Sequence, residues 1–207
     1  MNKIAVLDYG MGNLYSVCKA LQKVSTKENI FITNNHKEIL SSDKLVVPGV
    51  GAIKDCMTSI TELGLGNLIK EYMQNKPILG ICVGMQLFFE KSEENGGTEC
   101  LGLIEGRLEK IPTIKGIKVP HMGWNKVNQL SEHCMWNGID NNSFFYFVHS
   151  YAAFSCKQVD SEVYHGNRFV SSVSKGNIFA VQFHPEKSQL NGLKLFKNFL
   201  EWEGGIS

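Results

Sequence analysis

Apolar runs and helical stripes alternate along the first half of the chain. Lys3–Asp8 holds a continuous apolar run and reads as a buried strand. Leu14, Val17, Cys18, Leu21 and Val24 then recur at the spacing of an amphipathic helix. Glu28–Thr33 and Lys44–Pro48 predict a second and a third strand, and helical patterning returns between about Ile53 and Met73. Pro77–Ile81 predicts a fourth short strand, followed by a helix over Val83–Lys91 with Met85, Leu87 and Phe88 among its apolar positions. Strand and helix in this alternation imply parallel βαβ units, hence an α/β fold with a sheet covered on both faces.

The second half changes character. Segments near 101–109, 117–128, 143–154, 161–165, 168–174 and 178–183 are short, β-leaning and separated by Gly or Asn turns. They predict mixed or antiparallel strands added to a mostly parallel sheet. Leu193, Leu195, Phe196, Phe199 and Leu200 give Ser188–Trp202 the apolar face of a closing helix, with Ser188 at the N-cap. No repeat, linker or low-complexity tract interrupts the 207 residues, so one domain over 1–207 is expected.

Candidate chemistry begins at Gly80-Ile81-Cys82-Val83-Gly84, between the fourth strand and the helix after it. A sharp strand-to-helix turn of this kind is a nucleophile elbow, here with cysteine. Flanking glycines relieve the crowding, the bend lifts the sulfur to where substrate can reach it, and the helix N-terminus favours thiolate. Taken alone, the five residues read equally as a buried cysteine in a tight turn. A thiol nucleophile also needs a base and an orienter. His184 ends the strand Phe179–Phe183, Pro185 stiffens the exit, and Glu186 stands where it can turn back to the imidazole. An oxyanion site is the third requirement. Pro48-Gly49-Val50-Gly51 follows the third strand, and its backbone N–H groups, with that of Val83, are the candidate donors.

Composition narrows the field. Apolar residues make up 43%, enough for a sizeable core, and the formal net charge is +1 with 20% charged residues. No basic run or aromatic-basic interleaving suggests nucleic acid, and no stretch approaches the ~20 apolar residues of a membrane span. The N-terminal apolar run is too short for a signal peptide, which leads to the expectation of a cytoplasmic protein. Six cysteines lie scattered without any C-x-x-C pair, so neither disulfides nor a zinc site is expected. Gly10-Met11-Gly12 after the first strand suggests a dinucleotide fingerprint, but position 15 is Tyr15 rather than the third glycine. No cofactor and no metal are therefore expected.

With those residues in place, Leu79–Gln86 and Val181–Ser188 resemble the class I, triad-type glutamine amidotransferases. Asp8–Leu14, Pro120–Asn125 and Phe145–Tyr151 narrow the resemblance to the glutaminase subunits of imidazole glycerol phosphate synthases. Val83 stands where that family more often has leucine. The resemblance implies that Cys82 attacks the side-chain amide of L-glutamine, that His184 passes the thiol proton to departing ammonia, and that Glu186 orients His184. A glutamyl thioester forms and water releases glutamate. It further implies that Gln86 and Glu94 hold glutamine, as do His149 and Ser150 near its carboxylate. Gln86 and Glu94 also read as ordinary polar residues on or after a surface helix, and His149 as a satisfied core histidine.

The family passes its ammonia to a (β/α)8-barrel cyclase subunit, giving a heterodimer that makes imidazole glycerol phosphate in histidine biosynthesis. By the same resemblance the Gly10–Asn13 loop, with Met122, Trp124, Tyr146 and Lys187, forms the face that meets the barrel. Core packing is the other reading of Met122 and Trp124. The family is gated, with donors near Val50 and Gly51 misaligned until the acceptor binds, so the chain alone is expected to hydrolyse glutamine poorly. One alternative keeps the chemistry and changes the acceptor, to a barrel synthase amidating a nucleotide-sugar or surface-sugar precursor. Others are a cysteine peptidase sharing the elbow and an inactive scaffold on the same fold.

Overall fold

The structure is a computed structural model that describes residues 2–205. Met1 and the last two positions of the expected 1–207 domain lie outside the described residues. The first half contains β1 (Lys3–Leu7), α1 (Leu14–Val24), β2 (Asn29–Thr33), α2 (His36–Ser41), β3 (Lys44–Gly49), α3 (Ile53–Glu62), α4 (Leu65–Tyr72), β4 (Ile78–Cys82) and α5 (Val83–Gln86). Then follow β5 (Lys91–Ser92), β6 (Thr98–Glu99), β7 (Arg107–Lys110), β8 (His121–Lys126), β9 (Asn128–Gln129), β10 (Phe144–His149), β11 (Tyr151–Ala152), β12 (Val159–His165), β13 (Asn167–Lys175), β14 (Ile178–Val181) and α6 (Gln189–Glu201).

The main sheet has eight strands in the order β2-β1-β3-β4-β14-β13-β12-β9. Its first five strands pair in parallel, and the rest pair antiparallel. This is the mixed, mostly parallel α/β sheet expected from the pattern. Strands β3, β4 and β14 are buried at every residue, as parallel strands covered by helices on both faces must be. The remaining strands do not join this sheet. β8 and β10 form a two-stranded antiparallel ribbon, and β11-β7-β5-β6 form a small second sheet. No disulfide joins any of the six cysteines. Among the described residues no helix is long and apolar enough to cross a membrane.

The structure corrects one local expectation and refines the pattern in two other places. The helix expected over Val83–Lys91 is a single turn. The carbonyls of Leu87, Phe88 and Phe89, which a longer helix would use, instead accept the N–H groups of Leu101, Gly102, Leu103 and Ile104. That same backbone pairing explains why 101–106 is loop rather than strand. Helical patterning between Ile53 and Met73 resolves into α3 and α4, broken at Gly64 with φ +64°. Helix α2 was not expected. Its signal was present: Asn35 Oδ1 accepts from both Lys37 N–H and Glu38 N–H, an N-cap the sequence offers directly.

Candidate active site

Cys82 ends β4 with φ +55° and ψ −112°, outside both helical and extended backbone. Strain of this kind persists only where the surroundings over-determine it. Here they do so through close approach. A Cβ on Gly84 would lie 1.8 Å from the Val47 carbonyl oxygen, and one on Gly49 would lie 2.6 Å from Gly84 N and 2.7 Å from the Tyr9 hydroxyl. The elbow thus rests directly on the end of β3, where Gly49 is in register with Cys82. Tyr9 is buried and donates a 2.7 Å hydrogen bond to the Pro48 carbonyl, supporting the Gly49–Gly51 loop from behind. Burial, with Cys56 and Cys82 nearby, pushes its phenol well above the ordinary tyrosine range.

β14 lies beside β4 in parallel, so its continuation brings His184 to the same end of the sheet. His184 Nδ1 meets Glu186 Oε1 at 2.7 Å, with both side chains almost wholly buried. Nε2 closes no hydrogen bond of its own. Burial opposes a charge on this imidazole. The Cys82 sulfur and the Glu186 carboxylate outweigh that cost and raise His184 to about 10. Cys82, Val83, His184, Val50 and Gly51 line one cavity of about 310 Å³, together with Gln86, Glu94, Val148, His149, Ser150 and Tyr151. The first N–H groups of α5, beginning at Val83, open at this cavity and have no partners within the helix.

Several residues expected to hold glutamine already have partners. Gln86 is buried, and its Nε2 donates to the Tyr151 carbonyl at 3.1 Å and to Gln182 Oε1 at 2.9 Å. The Gln182 amide in turn points its N–H at Cys82 Sγ, 3.8 Å away. Glu94 accepts the Ile53 N–H at 3.0 Å, acting as the cap that Ala52, with no side-chain donor or acceptor, cannot supply to α3. Glu94 therefore anchors the far side of the Gly49–Gly51 loop. His149 has both ring nitrogens engaged, Nδ1 with the Tyr151 carbonyl at 2.9 Å and Nε2 with His121 at 3.0 Å. Neither ring nitrogen is therefore free for a ligand.

Gln182 and Ser188 are site residues that the pattern did not single out. The expectation of Ser188 as N-cap holds for its position only, since its side chain makes no cap hydrogen bond. It donates instead to the His184 carbonyl at 2.6 Å and accepts the Tyr146 N–H at 3.0 Å. The His184 N–H donates to the Tyr146 carbonyl at 2.8 Å. The turn carrying His184 is thereby bound to β10 through both backbone groups of Tyr146.

Met122 and Trp124 are not core. They stand 62% and 46% exposed on the β8–β10 ribbon. Trp124 packs edge-on to Tyr146, with ring centroids 6.0 Å apart, and Lys187 Nζ sits 5.7 Å from the Tyr146 ring centroid. Asn13 is half-exposed at the start of α1.

The profile of the family described as glutamine amidotransferase class-I matches residues 5–202. The chain belongs to that family. It is similar, at 50% identity over 98% of its own length and 99% of the relative's, to imidazole glycerol phosphate synthase subunit HisH of Acinetobacter baylyi. It is also 47% identical to the subunit of that name from Nitrosococcus oceani, over 99% of both chains. Within the class, then, this chain falls among the HisH subunits, each of which is by name one part of a larger synthase. A solved glutamine amidotransferase, 17% identical, superposes with a TM-score of 0.73 over 96% of this chain and 97% of its own, which supports the fold alone.

Proposed function

We propose that this chain is a single glutaminase domain that hydrolyses L-glutamine to glutamate and ammonia through a thioester on Cys82. The observation that carries this reading is the convergence of a strained elbow cysteine and a buried His184–Glu186 pair at 2.7 Å on one cavity. The imidazolium stabilises a thiolate, which attacks the carboxamide carbon. Negative charge then grows on the amide oxygen. The Val83 N–H, with those of Val50 and Gly51, is suited to receive it, and Gly49 lets that loop approach the elbow. His184 gives its proton to the leaving nitrogen, so ammonia departs neutral. Water attacks the thioester with His184 as base and releases glutamate. Gln86, Glu94 and the His149–Ser150 backbone form the walls that hold glutamine.

Ammonia released into water at neutral pH becomes ammonium, which is no nucleophile. A docked acceptor subunit protects it. Exposed Met122 and Trp124 and half-buried Tyr146 lie on the ribbon whose end, Val148 and His149, walls the cavity, and Lys187 reaches the Tyr146 ring from the turn after β14. Exposed Trp and Met are typical of the centre of an interface. We assign this face, with Asn13, to a (β/α)8-barrel cyclase that uses the ammonia to form imidazole glycerol phosphate in the cytoplasmic pathway of histidine biosynthesis. The HisH name shared by both relatives above favours this acceptor over a sugar-amidating synthase.

The test is glutamate release by the chain with its partner subunit. Cys82→Ser should abolish it while leaving partner binding intact, and unchanged release would overturn the reading. The isolated chain should turn over far more slowly than the complex; full-rate hydrolysis without a partner would remove the gating.

A further inference from the structure

Behind the cavity wall lies a buried run of side chains that the mechanism does not use. His121, on β8, is 3% exposed and packs between Phe147 and His165, with ring centroids 4.8 and 4.1 Å away. Its Nδ1 lies 3.0 Å from His149 Nε2, and its Nε2 lies 3.2 Å from Asn125 Nδ2. Ring nitrogens can donate or accept, but here both ends of the run are fixed. His149 Nδ1 faces the Tyr151 carbonyl, which can only accept, so that nitrogen carries a hydrogen. Asn125 Nδ2 also donates to the Tyr164 carbonyl at 2.9 Å, while Asn125 Oδ1 accepts the Lys126 N–H, so the amide orientation is fixed as well. The direction of every link follows. Asn125 donates to His121 Nε2, His121 Nδ1 donates to His149 Nε2, and His149 Nδ1 donates to Tyr151.

An extra proton on either ring would set two N–H groups against each other. Burial and the neighbouring imidazoles push His121 down to about 3, and burial above all holds His149 at about 4, so both stay neutral at physiological pH. The run does not end at Tyr151. The same carbonyl accepts from Gln86, whose other N–H reaches Gln182, whose amide points at Cys82 Sγ. A metal is no rival explanation, because no group of three or more potential ligands among the described residues could hold one.

We propose that His121 is a positioning residue for glutamine hydrolysis, which locks the tautomer and aim of His149 so that the Tyr151 carbonyl and the Gln86–Gln182 pair hold the cavity wall in register with Cys82. It touches neither substrate nor sulfur. The kinetic arm of the test rests on the glutaminase reading above; the tautomer arm does not.

The experiment compares His121→Leu with His121→Asn, which restores an amide N–H near the position of Nδ1. In the complex, His121→Leu should raise the KM for glutamine about tenfold, the effect of one lost positioning hydrogen bond, and His121→Asn should recover most of it. A role confined to packing would penalise both variants alike, in step with their loss of thermal stability. In parallel, nitrogen NMR of the histidine side chains at neutral pH should show His121 and His149 as neutral Nδ1–H tautomers. His149 should lose that single form in His121→Leu. Equal KM for the two variants, or a wild-type His149 protonated on Nε2, would overturn the proposal. An inactive wild type with the expected tautomers would instead count against the glutaminase reading.

Discussion

Strands β3, β4 and β14 bury every residue, whereas in the β8–β10 ribbon β10 buries alternate residues and β8 buries only His121. The two regions contribute different things to one cavity. The parallel strands are neighbours in the sheet, so their carboxyl ends deliver the Gly49–Gly51 loop, the nucleophile and the base side by side. At Gly49 and Gly84 the two loop ends approach so closely that neither position has room for a Cβ. The ribbon contributes a wall on one side and exposed aromatic surface on the other. It is held to the rest by one buried face, where Phe145 and Phe147 pack on Phe183, and by the hydrogen bonds of Tyr146 and His149. On the proposed reading, the reacting atoms thus sit on the fully buried strands, and the surface offered to a partner sits on the half-exposed ribbon.

Four substitutions test that contrast. Gly84→Ala should have the largest effect, since its methyl would fall 1.8 Å from the Val47 oxygen. Loss of about 3 kcal/mol or more in a urea titration, with activity gone, is expected. Glu186→Gln should lower kcat by about a hundredfold or more with the fold intact. It should also reshape stability against pH. His184 is raised from 6.5 to about 10 in the folded chain, so the stability it contributes is complete below 6.5 and disappears as pH rises through 10. The melting-temperature advantage of wild type over Glu186→Gln should fade across that window, and an advantage that grew with pH would contradict the assignment.

On the ribbon, Trp124→Ala should weaken partner affinity by about 2 kcal/mol while changing the stability of the free chain by less than about 0.5 kcal/mol, read by titration calorimetry and thermal melting. Smallest is Glu94→Ala, which removes the cap on α3. A loss of about 1 kcal/mol of stability is expected, together with greater hydrogen exchange at the Ile53 amide.

The fully buried region was the more legible in sequence, for a physical reason. A buried parallel strand must be apolar throughout, and an elbow against it must be glycine-flanked, so both constraints are local and leave residues in order. His184 and Glu186 were legible because a proline-stiffened strand end is local as well. The length of α5 was not, because it is set by amides of residues 101–104 that capture the carbonyls of Leu87, Phe88 and Phe89 across the chain. Nor could pattern reveal that Gln182 aims at a sulfur a hundred residues away, or that His149 has no free ring nitrogen. The second fact depends on the β8–β10 register that pairs His149 with His121.

The double tie between Tyr146 and the turn after β14 has a mechanical corollary. One residue offers its ring to the outside and its amide and carbonyl to the segment bearing the general base. Pressure on that ring is delivered inward along a lever two hydrogen bonds long, so β10 cannot slide while His184 stays put. An assembly that grips this aromatic therefore also holds the aim of the base.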